Sequence, residues 1–135
     1  MESSKRLWTQ RRALEELESL LEEIAMIVEA VVVEGQRDVE ALRSLGFEGR
    51  MEVCSHVGLS DVELCEKLAL DACSVLILTD FDEEGLLMYN RLKNMLERRG
   101  VKVEEGFRRE VGRLMAIIGV YAVEDLDNIK FNCRL

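Results

Sequence analysis

The chain has 135 residues, 48% of them hydrophobic, which is enough for one globular domain with an ordinary core and excludes a disordered chain. Its 18 basic and 27 acidic residues give a formal net charge of −9, which excludes strong nonspecific binding to polynucleotide unless a partner supplies basic surface. The sequence has neither a membrane-length apolar run nor a signal-peptide pattern, so we expect a cytoplasmic protein without membrane association.

The first predicted element is a long helix from about Ser4 to Val28. Apolar residues recur along it at spacings of three and four: Leu14, Leu17, Leu21, Ile24 and Val28. Because this stripe covers barely two heptads, we expect residues 1–28 to pack on the domain as a helix, with Trp8 anchoring its start. If the stripe were exposed, the protein would form a weak homodimer rather than a monomer.

Residues 29–135 are predicted to form the domain itself, with helices between its strands and a helical extension at its C-terminal end. The predicted strands are Ala30–Glu34, Met51–Ser55, Ser74–Thr79 and Val101–Glu105, and the predicted helices are Asp38–Leu45, Ser60–Ala72, Glu83–Arg99 and Arg108–Val120. Two of the strands are continuously apolar, as expected for strands covered on both faces. This alternation predicts an α/β fold with a mostly parallel four-stranded sheet and helices on both faces.

The four cysteines are Cys54, Cys65, Cys73 and Cys133, and none of them forms a CxxC pair. Their spacing relative to His56 matches no common zinc site. We interpret them as buried, reduced thiols. His56 is predicted at a strand end, in a structural role or at the rim of a site.

Acidic residues directly follow two of the apolar strands: Glu34 follows the first, and Asp80 and Asp82 follow the third. Carboxylates at the ends of parallel strands lie at the rim where α/β proteins bind ligands. Three adjacent carboxylates require a cation, and oxygen ligands suit Mg²⁺ or Mn²⁺. We therefore predict a divalent-metal site for phosphoryl transfer; the alternative is that both aspartates are turn formers and helix N-caps.

The order strand–Glu34–Gly35, then about 45 residues, then strand–Asp80-x-Asp82-x-x-Gly85 resembles the Toprim domain, over about residues 30–105. Topoisomerases, bacterial primases and the bacterial maturation nuclease for 5S ribosomal RNA share this Rossmann-like fold. With its leading helix and the sequence from Val33 to Leu42, the chain most resembles the small stand-alone Toprim proteins of archaea, relatives of the 5S maturation enzymes.

The resemblance implies that Glu34 is the general acid/base and that Asp80 and Asp82 hold the metal. Phosphoryl-transfer chemistry requires the same two roles, because a cation stabilises the charge on phosphate while a separate carboxylate transfers a proton. Neighbouring like charges are expected to raise the pKa of one carboxylate in the metal-free state. We expect Glu34 to be that carboxylate, because a raised pKa suits a proton-transfer group.

Further residues are expected beside these carboxylates. Gly35 and Gly85 are interpreted as positions where a substrate backbone approaches closely. Asp38 is interpreted as a helix cap or a group that reaches the site, and Glu84 as a first-turn acid or a contact to a second metal.

Arginines and lysines supply the candidate phosphate contacts, which are Arg37, Arg98, Arg99 and Lys102. The last three begin the densest cationic stretch of the chain, which continues through Arg108, Arg109 and Arg113. Glutamates interrupt this stretch, so our first interpretation is a solvated face of mixed charge, although it is also the first place where we expect a phosphate backbone.

Two positions depart from the family pattern. Gln36 replaces the lysine common in the 5S-type enzymes, and Glu83 replaces a basic residue common in topoisomerases. The leading hypothesis is a metal-dependent nuclease for structured RNA, such as ribosomal precursor, with DNA second. Its main alternative is a non-catalytic, metal-binding Toprim module that binds nucleic acid or a protein partner; a receiver-like phospho-accepting domain ranks third.

Overall fold

The computed structural model describes residues 2–54 and 61–129, and it has the predicted α/β fold. The elements in chain order are α1 (Glu2–Ile27), β1 (Ala30–Val33), α2 (Gln36–Ser44), β2 (Met51–Val53), α3 (Asp61–Asp71), β3 (Ser74–Leu78), α4 (Glu83–Arg98), β4 (Lys102–Val103), α5 (Glu105–Ile118) and a 3₁₀ turn (Val123–Asp125). The predictions for Ser55, His56, Ser60 and Cys133 concern residues that lie outside the described ones.

The four described strands form one sheet in the order β2-β1-β3-β4, and every neighbouring pair is parallel. The two central strands pair in register from Ala30 opposite Val75 to Val33 opposite Leu78. The residues that follow β1 and β3 therefore leave the sheet at the same edge, which is the carboxyl edge of the strands.

Helices cover both faces of the sheet, as predicted. Side chains of the central strands alternate between two buried clusters, as the two-residue period of a strand requires. Val31, Val33, Leu76 and Leu78 join the cluster formed with α1, α2 and α5. Ala30, Val32, Val75 and Ile77 join the cluster formed with α3 and α4.

Helix α1 packs along α5, and its apolar stripe is buried. Leu14, Leu17, Leu21, Ile24 and Val28 are all at most 8% exposed. The Gln10 side-chain amide donates a 2.7 Å hydrogen bond to the Ile118 carbonyl, and the Arg113 guanidinium lies 3.5 Å from the Glu16 carboxylate. The stripe is thus covered within the chain.

Three expectations about packing are wrong. Trp8 does not anchor the start of α1: its side chain is 61% exposed, and the Arg12 guanidinium stacks on its ring. The spacing of Leu87, Tyr89, Leu92, Met95 and Leu96 predicts that all five lie on the core side of the fourth helix. Leu87 is instead 66% exposed, because the buried face of α4 passes through Gly85, Tyr89, Leu92 and Leu96. Cys54 and Cys65 are buried as expected, but Cys73 is exposed.

Element boundaries differ by a few residues from the predicted ones. Helix α5 begins at Glu105 rather than at Arg108, and β4 is limited to Lys102 and Val103. Helix α2 begins at Gln36 rather than at Asp38, because the Asp38 side chain caps the preceding backbone. Among the described residues, no helix combines the length and the apolar character needed to cross a membrane.

Candidate metal centre

Glu34 and Asp80 lie side by side at the carboxyl edge of the sheet. Glu34 directly follows β1, and Asp80 follows the buried Thr79 at the end of the adjacent β3. The backbone amide of Asp80 donates a 2.6 Å hydrogen bond to Oε2 of Glu34. The sequence prediction that the two strand ends meet is therefore correct for this pair.

The third predicted carboxylate, Asp82, lies two residues farther along as the N-cap of α4. Its Oδ1 accepts a 2.8 Å hydrogen bond from the amide of Gly85. Asp82 can therefore be both a helix N-cap and a metal ligand, since an N-cap uses only one carboxylate oxygen. Its other oxygen, Oδ2, makes no hydrogen bond with a described residue.

Each of the three carboxylates is oriented by a backbone amide through one oxygen. Asp80 Oδ1 accepts from the Val123 amide at 3.2 Å, in the 3₁₀ turn that follows α5. The second oxygens of Glu34, Asp80 and Asp82 form no hydrogen bond within residues 2–54 and 61–129. The backbone thus orients the three side chains and leaves one oxygen on each for a ligand.

The donor set fits a hard divalent cation. No three Asp, Glu, His or Cys side chains among the described residues are gathered closely enough to surround one ion. Mg²⁺ does not require such a cage, because it retains several waters and binds through one or two carboxylates together with substrate phosphates. Carboxylate oxygens alone match Mg²⁺ and Mn²⁺ better than softer metals.

Asp38 supports the turn that carries Glu34. The Asp38 side chain is 4% exposed, and its Oδ2 accepts hydrogen bonds from the amides of Glu34 at 3.1 Å and Gly35 at 3.2 Å. Burial raises the pKa of Asp38, although these two amide bonds oppose the rise. The expectation of a helix cap is therefore correct, and through this cap Asp38 fixes the backbone at Glu34.

The centre has one strongly perturbed carboxyl group, which is Asp80. Burial, and to a lesser extent the negative charges of Glu34, Asp38 and Asp82, raise the pKa of Asp80 to about 7, although the bond from Val123 opposes the rise. The expected effect of like charges is thus present at Asp80, whereas the sequence predicts it at Glu34.

Arg108 lies beneath the centre, a position that was not predicted from the sequence. Its side chain donates hydrogen bonds to the carbonyl oxygens of Ile77 at 3.1 Å, Thr79 at 2.9 Å and Asp80 at 3.3 Å. Its guanidinium carbon lies 4.3 Å from the ring centroid of Phe81 and 4.5 Å from that of Tyr89. A buried cation therefore stabilises the strand end that carries the acidic residues.

A sequence signal for this role existed. Arg108 shares helical spacing with Val111 and Met115, which are both buried, so it belongs to the inward face of α5. The interpretation of residue 108 as part of a solvated cationic face is wrong.

The two glycines beside the centre, Gly35 and Gly85, differ in the space around their Cα atoms. A Cβ on Gly85 would lie 1.9 Å from the carbonyl oxygen of Asp80, so the protein's own backbone already occupies that space. The expectation that Gly85 admits a substrate backbone is therefore wrong. Gly35 has open space around its Cα, with no atom within 4 Å of an added Cβ.

The structure separates three of the four candidate phosphate contacts from the carboxylates. Lys102 pairs with Ser74 at the opposite end of β3, where it lies 3.4 Å from Glu104. Arg98 is the last residue of α4, a helix of 16 residues or about 24 Å that starts beside the centre. Arg99 follows it and lies 3.7 Å from Glu66.

Two other candidate site residues, Arg37 and Glu84, lie in first turns of helices at the carboxyl edge of the sheet. Arg37 is exposed in the first turn of α2, three residues after Glu34. Glu84 is exposed in the first turn of α4, where a negative charge favours the helix dipole.

A parallel α/β sheet with acidic residues at the ends of its two central strands fits a Toprim-type protein. A family model described as the Toprim domain matches residues 28–105, and the chain belongs to this family. This confirms the resemblance inferred from Glu34, Asp80 and Asp82.

Within the family, the chain is similar to small archaeal proteins named UPF0292. An alignment with one from Methanosarcina barkeri shows 34% identity over 128 residues. The alignment covers 93% of this chain and 87% of the relative. An alignment with one from Pyrococcus furiosus shows 35% identity over 121 residues and covers 90% of this chain and 88% of that relative. The relation to the 5S maturation nuclease stays a prediction.

The fold also resembles a solved structure of a protein from Aquifex aeolicus. The TM-score is 0.66 at 21% sequence identity, and the match covers 81% of this chain and 96% of that one. This similarity supports the Toprim-like arrangement of the sheet.

Proposed function

We propose that this protein is a divalent-metal-dependent phosphodiesterase that acts on nucleic acid, with structured RNA such as ribosomal precursor as the first substrate class and DNA as the second. The observation that carries the proposal is the pairing of Glu34 with the Asp80 backbone at the ends of adjacent central strands. A membrane plays no part in this proposal, and its setting is the cytoplasm.

In this proposal Asp80 and Asp82 hold Mg²⁺ or Mn²⁺ through the oxygens that backbone amides leave open. The bound cation would neutralise the acidic cluster and stabilise the charge that develops on phosphate during transfer. Arg108 keeps the backbone of Asp80 in place through its bonds to three carbonyl oxygens. The two aspartates therefore start from a rigid backbone, which lowers the cost of organising the site.

Glu34 is the proposed proton-transfer group. Its Oε2 accepts a hydrogen bond from the Asp80 amide, and the backbone amide of Glu34 donates one to the Asp38 carboxylate. Oε1 is then the atom that accepts a proton from the nucleophile or returns one to the leaving oxygen. An oriented carboxylate next to an acidic pair is suited to this role because its second oxygen is held in one direction.

The test is cleavage of labelled structured RNAs and DNAs with Mg²⁺ or Mn²⁺. We compare the wild type with Glu34→Gln and with the double variant Asp80→Asn/Asp82→Asn, which removes charge at nearly constant shape. Glu22→Gln on the exposed face of α1 is the matched control. We expect metal-dependent cleavage that falls about 100-fold or more in both site variants and is unchanged in the control. A wild type that cuts none of these substrates contradicts the proposal.

The second candidate is a non-catalytic Toprim module that uses the cation structurally and binds nucleic acid or a basic protein partner. The positions of Gln36 and Glu83 favour it, since both are exposed at the carboxyl edge and bring no positive charge to a phosphate. The net charge of −9 favours a partner that supplies basic surface. Metal-dependent binding without cleavage in the same panel supports this candidate.

A further inference from the structure

A cleft of about 680 Å³ opens beside Asp82, between the start of α4 and α5. Its volume falls in the range of small-molecule pockets, about 300–1,000 Å³. Asp82 belongs both to this cleft and to the candidate metal centre. A group bound at the carboxylates therefore has the cleft as its immediate neighbour.

The floor of the cleft is apolar and partly aromatic. Phe81, Leu86 and Tyr89 line it, and Leu86 is 51% exposed although it is a large apolar side chain. Arg108 stacks on both aromatic rings and so holds them in place. Gly112 leaves room for Phe81, because a Cβ there would lie 2.8 Å from a ring atom. The floor is thus preformed, and its accessible apolar surface comes from Leu86 and the partly exposed Phe81, since Tyr89 is only 8% exposed.

The charges at the mouth of the cleft limit what else it accepts. Arg109 is exposed and forms no salt bridge within the described part of the chain, whereas Glu105 is paired with Lys93. Asp82 and Glu83 add negative charge at the same opening. A continuous phosphate backbone would be repelled here, but one phosphate fits beside Arg109.

We propose that this cleft binds one unpaired nucleobase of a nucleic acid, from the nucleotide next to the phosphodiester at the carboxylates. The base lies on Leu86 and against the partly exposed Phe81, and Arg109 contacts its phosphate. The carboxylate of Glu83 accepts a hydrogen bond from an exocyclic amino group, so bases that carry such a group bind better than uracil. The position of the reacting phosphate rests on the proposed function, whereas the base site rests on the cleft.

The first test measures binding of short single-stranded RNAs by fluorescence anisotropy, with Ca²⁺ in place of Mg²⁺ to slow any cleavage. Leu86→Ala removes apolar contact from the floor, and Leu87→Ala is the matched control because Leu87 is also an exposed leucine of α4 but does not line the cleft. We expect the Kd to rise about fivefold for Leu86→Ala and to stay unchanged for Leu87→Ala. An oligonucleotide with an abasic nucleotide at each position in turn should lose affinity at one position.

The second test measures the salt dependence of binding. Arg109→Ala should reduce the slope of log Kd against log salt concentration by about 0.7, the value for one phosphate on a single strand. Arg109→Lys should keep most of the slope because it keeps the charge. An unchanged slope in Arg109→Ala overturns the phosphate contact.

The outcomes separate this inference from the proposed function. Metal-dependent cleavage with equal binding by Leu86→Ala and Leu87→Ala overturns the base site and leaves the function standing. Binding that depends on Leu86 and Arg109 without cleavage supports the base site and contradicts the nuclease. A wild type that binds no oligonucleotide contradicts both.

Discussion

Gly85 packs so closely against Asp80 that a Cβ on the glycine would lie 1.9 Å from the aspartate's carbonyl oxygen and 2.9 Å from its nitrogen. The first turn of α4 thus lies directly on the strand end that carries the acidic residues. The buried Thr79 hydroxyl joins the two by donating a 2.7 Å hydrogen bond to the carbonyl of Gly85. Helix and strand end form one rigid unit.

Gly85→Ala is therefore expected to destabilise the protein by about 3 kcal/mol or more, because backbone atoms must move to admit the methyl group. Gly106→Ala is the control: it is also helical, and its added Cβ would meet only the Arg109 side chain at 4.0 Å. The control should gain about 0.5 kcal/mol through helix propensity. Urea unfolding measures both; equal stability of the two variants would show that the contact is relaxed in solution.

Arg108→Ala should cost about 3 kcal/mol of folding free energy, since it leaves buried carbonyl groups without a donor and removes the stacking on Phe81 and Tyr89. Its neighbour Arg109 is exposed, so Arg109→Ala should change stability by less than about 0.5 kcal/mol. Chemical denaturation of the two single variants makes the comparison. Similar midpoints for both variants would show that Arg108 is not structural.

The stability of the metal-free protein should fall with rising pH because of Asp80. The pKa of Asp80 in the folded protein is about 7, above its ordinary value of 3.8, because of burial and the neighbouring carboxylates. Folding therefore favours the protonated form, and this contribution is complete below about pH 4 and is lost as the pH rises through 7. Asp80→Asn has no such titration.

In buffer with a chelator, Asp80→Asn should thus be more stable than the wild type at pH 8, by about 1 kcal/mol since solvent screens a half-buried group. The difference should shrink toward pH 5. Thermal unfolding across this pH range gives the result. Parallel pH profiles for the two proteins would mean that Asp80 is ionised at little cost.

The sequence predicts the sheet and the acidic pair well because both rest on local patterns. The apolar runs that contain Val31 and Ile77 are too short for helices and too continuous for exposed strands, and parallel strands must end at one edge. The stripe from Leu14 to Val28 likewise identifies the buried face of α1.

Other features depend on tertiary geometry that spacing does not contain. Arg98 and Lys102 are near Asp82 in sequence, yet α4 carries the chain to the other edge of the sheet. The charge of Arg108 suggested a solvated face, although its helical phase matched the core. The bond from Val123 to Asp80 joins residues 43 apart, and no local pattern predicts it.

Mn²⁺ binding by isothermal titration calorimetry is the most direct test of the central claim, which is that Asp80 and Asp82 hold a divalent cation beside Glu34. We compare the wild type with Asp82→Asn, which keeps the N-cap bond to Gly85 and removes one charge, and with Glu22→Gln as the control. The account predicts binding to the wild type and the control, weakened at least about tenfold in Asp82→Asn. Equal affinity in all three proteins, or no binding to the wild type, would contradict it.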